Sequence, residues 1–228
     1  MSETLRHFHE ELADISARLV TMSAAAEAAL GRAIEALLER DAEKAHEVII
    51  GDREIDRRET DLEERCLSLL ARHQPMARDL RLLMSAMRIA NDLERVGDHA
   101  VNIAQSATRV SKAPPITPEP EIIEMARLTR LMLSDAIDAF VRGDGAAGRE
   151  ICLRDDQVDA LNRSVFRILL ARMMGDPRVI GSGMELFLVS RNLERVADLA
   201  TNIAEGVVFV AEGKSIKHHA EDGGESAG

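Results

Sequence analysis

Leu93–Ala104 reads LERVGDHAVNIA, and one hundred residues later Leu193–Ala204 reads LERVADLATNIA. Nine of the twelve positions are identical, charged positions as well as apolar ones. A repeat of that density sets the architecture before any local pattern is read. At 100° per residue, Leu93, Val96, Gly97, Ala100, Ile103 and Ala104 share one face of a helix. Glu94, Asp98 and Asn102 form a separate line, each one turn beyond the last. The stretch is therefore half seam and half polar stripe, and it occurs twice.

The repeat extends outward from this pair. Met22–Asp41 aligns with Met125–Asp144 without a gap, and Gly51–Asp56 aligns with Arg154–Asp159. Apolar residues step by three or four from Leu12 through Leu37, which predicts one long helix from Leu5 to Glu39. Asp41 suits the N-cap of a second helix running to about Arg72. Pro75 suits the first turn of a third helix, which runs to about Val110. Ser111–Pro120 holds four of the six prolines and cannot remain helical. In the second copy Asp144 takes the place of Asp41, and Pro177, capped by Asp176, that of Pro75. The offset falls there from 103 to 100, so Gly181, Ser182 and Gly183 are expected to form an irregular start to the last helix. No strand pattern appears. The expectation is an all-α tandem duplication: two three-helix bundles, six long helices, over residues 1–112 and 121–213. A Pro-rich linker spans 113–120, and a tail without periodicity spans 214–228, expected to be disordered.

Composition narrows the function. The 228 residues carry a net charge of −11, are 46% hydrophobic and 30% charged, and include no Trp or Tyr. That field repels phosphate backbones and anionic membranes, and the scarcity of aromatics disfavours base stacking. Cys66 and Cys152 stand apart in no metal or redox spacing and read as reduced core thiols. The N-terminus lacks a signal-peptide pattern and no apolar run approaches membrane-spanning length, so a cytoplasmic protein is expected. There is no Gly-rich phosphate loop, no G-x-S-x-G elbow and no Cys/His nucleophile arrangement.

What remains is carboxylate chemistry. Asp52 and Asp56 lie four apart beside the stripe of Ile55 and Leu62. With Glu94/Asp98 on the neighbouring helix they bring two acid pairs together; the second copy supplies Asp155/Asp159 and Glu194/Asp198. Acids four apart repel by a few tenths of a kcal/mol, and a cation reverses that cost. Oxygen-only donors favour magnesium, calcium, manganese or ferric iron and do not exclude zinc. The competing reading is a solvated acidic face. Glu43/His46 has the E-x-x-H spacing of di-iron bundles, but its counterpart is Ala146/Arg149, so half of such a site is missing. His99 becomes Leu199 and reads as a packing or surface histidine.

Arg72–Ala104, RHQPMARDLRLLMSAMRIANDLERVGDHAVNIA, and the second copy ending RNLERVADLATNIA resemble the PhoU family, accessory proteins of phosphate-specific transport and phosphate signalling. The resemblance runs from Leu5 to Gly213. It implies a cytoplasmic, non-enzymatic, commonly dimeric regulator that represses the phosphate-starvation response. Its implied partners are the ATPase subunit of a phosphate ABC transporter and a membrane sensor histidine kinase. It also implies metal on the acid pairs: Asp52, Asp56, Glu94 and Asp98 in the first unit, and Asp155, Asp159, Glu194 and Asp198 in the second. Asn102 and Asn202, one turn further, could complete each shell. Iron, zinc, manganese and magnesium are the candidate ions. The second unit's acidic field is thinner, since Glu59 and Glu63 become Asn162 and Phe166. The alternative is a metal-carboxylate protein, a metal store or metal-dependent enzyme, on a helical-bundle scaffold.

Overall fold

In the computed structural model residues 3–114, 116–214 and 216 are described; the tail expected to be disordered lies outside them except for Lys214 and Ile216. The described residues form helices joined by short turns. α1 spans Glu3–Glu39, α2 Ala42–Gly51, α3 Arg53–His73 and α4 Ala77–Lys112; α5 spans Pro120–Arg142, α6 Gly145–Cys152, α7 Asp155–Gly175 and α8 Ile180–Glu212. Each unit is thus three helical rods, and the middle rod is interrupted once. In the first unit the interruption is Asp52, whose backbone keeps helical angles. In the second it is Leu153–Arg154. The continuous second helix expected from periodicity is therefore two helices, because apolar spacing runs on in phase across a short break.

The caps explain the turns. Asp41 accepts the backbone N–H groups of Glu43 and Lys44 at 2.9 and 3.0 Å. Asp144 accepts that of Ala147 at 3.0 Å, after Gly143 turns the chain with φ +63°. Such caps satisfy donors the helix cannot pair itself. Pro75 does not open α4. It lies in the turn between α3 and α4, where Gln74 closes α3 in the left-handed region and Met76 is the N-cap. Pro177 opens a 3-10 turn, Pro177–Val179, with Asp176 accepting from the backbone N–H of Arg178. Gly181–Gly183, expected to be irregular, lie inside α8. Ser182 and Gly183 are buried there, and a side chain on Gly183 would meet Met173 at 2.9 Å. The irregularity belongs to the proline; Gly183 serves packing, while Gly181 stands exposed with open space beside it.

α4 and α8 are the centre of the molecule. Arg81 donates to the Val210 carbonyl at 3.4 Å, His99 Nδ1 lies 2.9 Å from Asn192 Oδ1, and Arg109 pairs with Glu185 at 2.7 Å. Partner numbers fall as α4 numbers rise, so the two helices run antiparallel and the two LERV stretches cross. Each central helix also packs on its own unit: α4 on α1, α2 and α3, and α8 on α5, α6 and α7. That requires a broad buried face of small and large apolar residues, which α4 supplies with Ala86, Ile89, Ala90, Leu93, Val96, Ala100, Ile103, Ala104 and Ala107. One continuous core runs through both units. Fully burying a single Leu such as Leu93 contributes roughly 2 kcal/mol. Among the described residues no helix is long and apolar enough to cross a membrane.

Candidate functional site: paired carboxylates on the α3–α4 and α7–α8 seams

In the first unit the break between α2 and α3 puts Asp52 beside α4. Gly97 makes room: a Cβ there would sit 2.8 Å from Asp52 Oδ1 and 3.0 Å from Ile55 Cδ1. Asp52 and Asp56 sit at the start of α3, where the helix dipole favours a negative charge. Burial and like charge oppose it and win at Asp52. Desolvation first, then Asp56 and Asp98, push its carboxyl up to about 6. Glu94 is pushed up to about 7, by desolvation first and then by Asp98, Glu59, Asp56 and Asp52. The four expected acids of this unit therefore share one field, joined by Glu59. None of Asp52, Asp56, Glu94 or Asp98 makes an ion pair among the described residues. Asn102, one turn further along α4, stands exposed.

The second unit answers the same problem with arginines. Arg191 pairs with Glu194 at 2.8 Å, Arg195 with Asp198 at 3.1 Å and Arg163 with Asp159 at 3.6 Å. Asp155 is still pushed up to about 6, by desolvation first and then by Asp198, Asp159, Asp156 and Glu194. Asp155 Oδ1 and Glu194 Oε2 are buried without a hydrogen-bond partner, as is the Thr201 hydroxyl. Asp155, Asp198, Thr201 and Asn202 border a cavity of about 340 Å³ together with Arg195 and, from the other unit, Arg95.

The donor chemistry therefore fits a hard cation: oxygen ligands only, carboxyls held high by burial and then by one another, and unpaired buried oxygens in the second unit. A preformed cage is a separate matter. Among the described residues no three His, Cys, Asp or Glu side chains converge on one point as a metal cage would. Glu43 and His46, of the E-x-x-H spacing, are both exposed on α2. Cys66 is buried and Cys152 half-buried; both are free, and desolvation pushes their thiols up to about 12 and about 11. Such thiols are inert packing groups. His99, read as a packing or surface residue, bridges the units through Asn192.

One residue of the site escaped the sequence reading, and one was placed only in the surrounding acidic field. The latter, Glu59, lies seven residues after Asp52 on the same face of the rod, so helical spacing could have added it to the acid set. Arg95 could not have been found, because it borders the same cavity as Asp155 and Asp198 only when the two LERV stretches cross.

The PhoU domain family matches the chain twice, over residues 19–107 and 122–207. The phosphate-specific transport system accessory protein PhoU homolog of Caulobacter vibrioides is 37% identical over 214 residues, 93% of each chain. That of Aquifex aeolicus is 37% identical over 95% of this chain and 98% of its own. The crystal structure of PhoU from Pseudomonas aeruginosa superposes with a TM-score of 0.86 at 33% identity, covering 91% of this chain and all of that one. The phosphate transport system regulatory protein PhoU from Streptococcus pneumoniae follows at 0.85, 28% identical over 91% and 98%. Two copies of one domain, the same helical architecture and near full-length coverage agree: the chain belongs to the PhoU family of phosphate-transport accessory and regulatory proteins, which are not enzymes.

Proposed function

We propose that this protein is a cytoplasmic negative regulator of phosphate uptake and of the phosphate-starvation response. It acts as an adaptor, in homodimeric form, between the ATPase subunit of a phosphate ABC transporter and a sensor histidine kinase, and its acid pairs bind metal. One observation carries the role of the acid pairs: among the described residues the Asp52/Asp56/Glu94/Asp98 set has no arginine ion-pair partners, and Asp52 and Glu94 are held well above ordinary carboxyl values. A cluster that costs stability as bare charge is explained by a cationic occupant or partner surface. A bare acidic stripe on a chain of net charge −11 repels free phosphate, so phosphate status reaches it through a bridging cation or through contact with the transporter.

Deleting the gene should leave phosphate-responsive genes active in phosphate-rich medium. Asp98→Ala combined with Asp198→Ala, in protein shown by circular dichroism to fold, should do the same. Normal repression in the folded double variant would reduce the stripe to a solvated face.

A second reading, a metal store or metal-dependent carboxylate protein, is favoured by the unpaired buried oxygens of Asp155 and Glu194. Protein purified without a His tag should carry iron, zinc, manganese or magnesium, and the Glu94/Asp98/Glu194/Asp198→Ala quadruple variant should lose it. Equal metal content by elemental analysis excludes both this reading and the metal part of the first.

A further inference from the structure

The two units differ in charge at equivalent places beside their last two rods. Beside α3 and α4 a groove of about 870 Å³ that also reaches α8 is bordered by Glu59, Glu63, Met87 and Asn91, with Arg88, Arg95 and Glu205. Beside α7 and α8 the groove of the second, about 620 Å³, is lined by Asn162, Arg163, Phe166, Arg167, Phe187 and Arg191. The repeat offsets make these equivalent places. Glu59, Thr60, Glu63 and Glu64 become Asn162, Arg163, Phe166 and Arg167, while Met87 and Asn91 become Phe187 and Arg191. Three carboxylates give way to three guanidiniums and an aromatic pair, on a chain whose net charge is −11.

We propose that the α7–α8 groove docks an acidic segment of a partner protein, with an aromatic or leucine side chain seated between carboxylates. The apolar half of the match is the Phe166–Phe187 pair. The ring centroids are 5.3 Å apart, and Phe166 is 46% exposed. Large aromatics left at a groove are the usual anchors of interfaces. The floor is fixed, because Ser190 donates to Asn162 Oδ1 at 3.0 Å in a buried pair. The charged half is Arg163 and Arg167, since Arg191 is already paired with Glu194 at 2.8 Å. Arg167 makes no ion pair among the described residues. Arg163 has only the 3.6 Å contact with Asp159, an exposed pairing that contributes little. Guanidiniums flanking an apolar slot select carboxylates by charge and geometry.

Other occupants fit less well. A bare anion has no use for the phenylalanines. A second copy would have to bring its acidic groove, and two concave faces do not interlock. The chain's own C-terminal stretch has acids at Glu221, Asp222 and Glu225 but no aromatic or leucine beside them. The inference goes beyond the regulatory reading and does not rest on it, since direct binding reports on the groove whatever becomes of repression.

The test is fluorescence anisotropy on the full chain with a labelled synthetic peptide, EEDFLEELSG, and two counterparts: one with every acid replaced by Lys, one with Phe and both Leu replaced by Ser. The acidic peptide should bind and both counterparts should bind at least about tenfold more weakly, a difference of about 1.4 kcal/mol. Binding should weaken with added salt. Arg163→Glu with Arg167→Glu, and separately Phe166→Ala, should each cost about tenfold or more, while Glu63→Gln should change nothing. Equal binding of all three peptides, or unchanged binding to the reversed-charge variant, overturns the proposal. So does a Ser-substituted peptide that binds as well as the parent and is displaced by inorganic phosphate, which would mark an anion site only. A change of oligomeric state in the reversed-charge variant by analytical ultracentrifugation would instead assign the groove to a second copy.

Discussion

Glu94 is where sequence pattern and energetics meet most directly. Its carboxyl is held at about 7 and those of Asp52 and Asp155 at about 6, so the folded protein holds protons that the unfolded chain has already released. Stability from these groups is complete below the unfolded carboxyl range and is lost as pH rises through 6 to 7. The protein should therefore melt higher at pH 5 than at pH 8. Glu94→Gln with Asp52→Asn should flatten that difference and raise the melting temperature at pH 8. After allowance for solvent screening the gain is on the order of 1 kcal/mol, or about 2–4 °C for a chain of this size. Calorimetry at the two pH values checks this; a steeper loss toward pH 8 in the variant would mean that the bare carboxylates are stabilised by something other than protonation. Magnesium or manganese should mimic the substitutions in the parent and shift the variant less, since only its second-unit acids remain.

Among elements, the short α6 is held by close approach. A Cβ on Gly148 would lie 2.8 Å from the Ala204 backbone carbonyl and 3.1 Å from Val208 Cγ2, and a backbone atom cannot step aside. Gly148→Ala should cost about 1–3 kcal/mol, the range of overpacked sites. Gly206→Ala in α8, with nothing within 4 Å of the added carbon, should gain up to about 1 kcal/mol from helix propensity. Urea denaturation of the two variants checks the contrast, and equal effects would mean that neither contact controls stability. The same elements mark how far the sequence could be read. Helix faces and the Asp41 and Asp144 caps were legible because each depends on residues two to four apart, and the duplication because the two copies align at a nearly constant offset. The breaks at Asp52 and Leu153–Arg154, the burial of Gly183 against Met173 and the place of Pro75 were not, since apolar spacing continues across them. At the candidate site the acids were legible one helix at a time. Their arginines in the second unit stand three or four residues away on the same helices and could have been read there; Arg95, at the cavity from the first unit, depends on the crossing of α4 and α8, which no local spacing encodes.

The whole molecule has one core, centred on α4 and α8. It should unfold in a single transition by far-UV circular dichroism, the probe of choice in a chain without Trp or Tyr. Residues 1–112 made alone leave the α8-facing side of α4 uncovered and should give no cooperative monomeric transition. A well-behaved monomeric fragment, or two separated transitions in the full chain, would make the units independent domains. Within that shared core the contact between His99 and Asn192 occurs once, because the equivalent pair is Leu199 and Asp92. In an assembly of identical halves every substitution is made twice, so neither a one-sided hydrogen bond nor grooves of different charge could arise. A gene that encodes both halves on one chain lifts that rule. Each side can then drift toward its own task while the other keeps the ancestral one, and a folding unit made by copying becomes an instrument with two different ends.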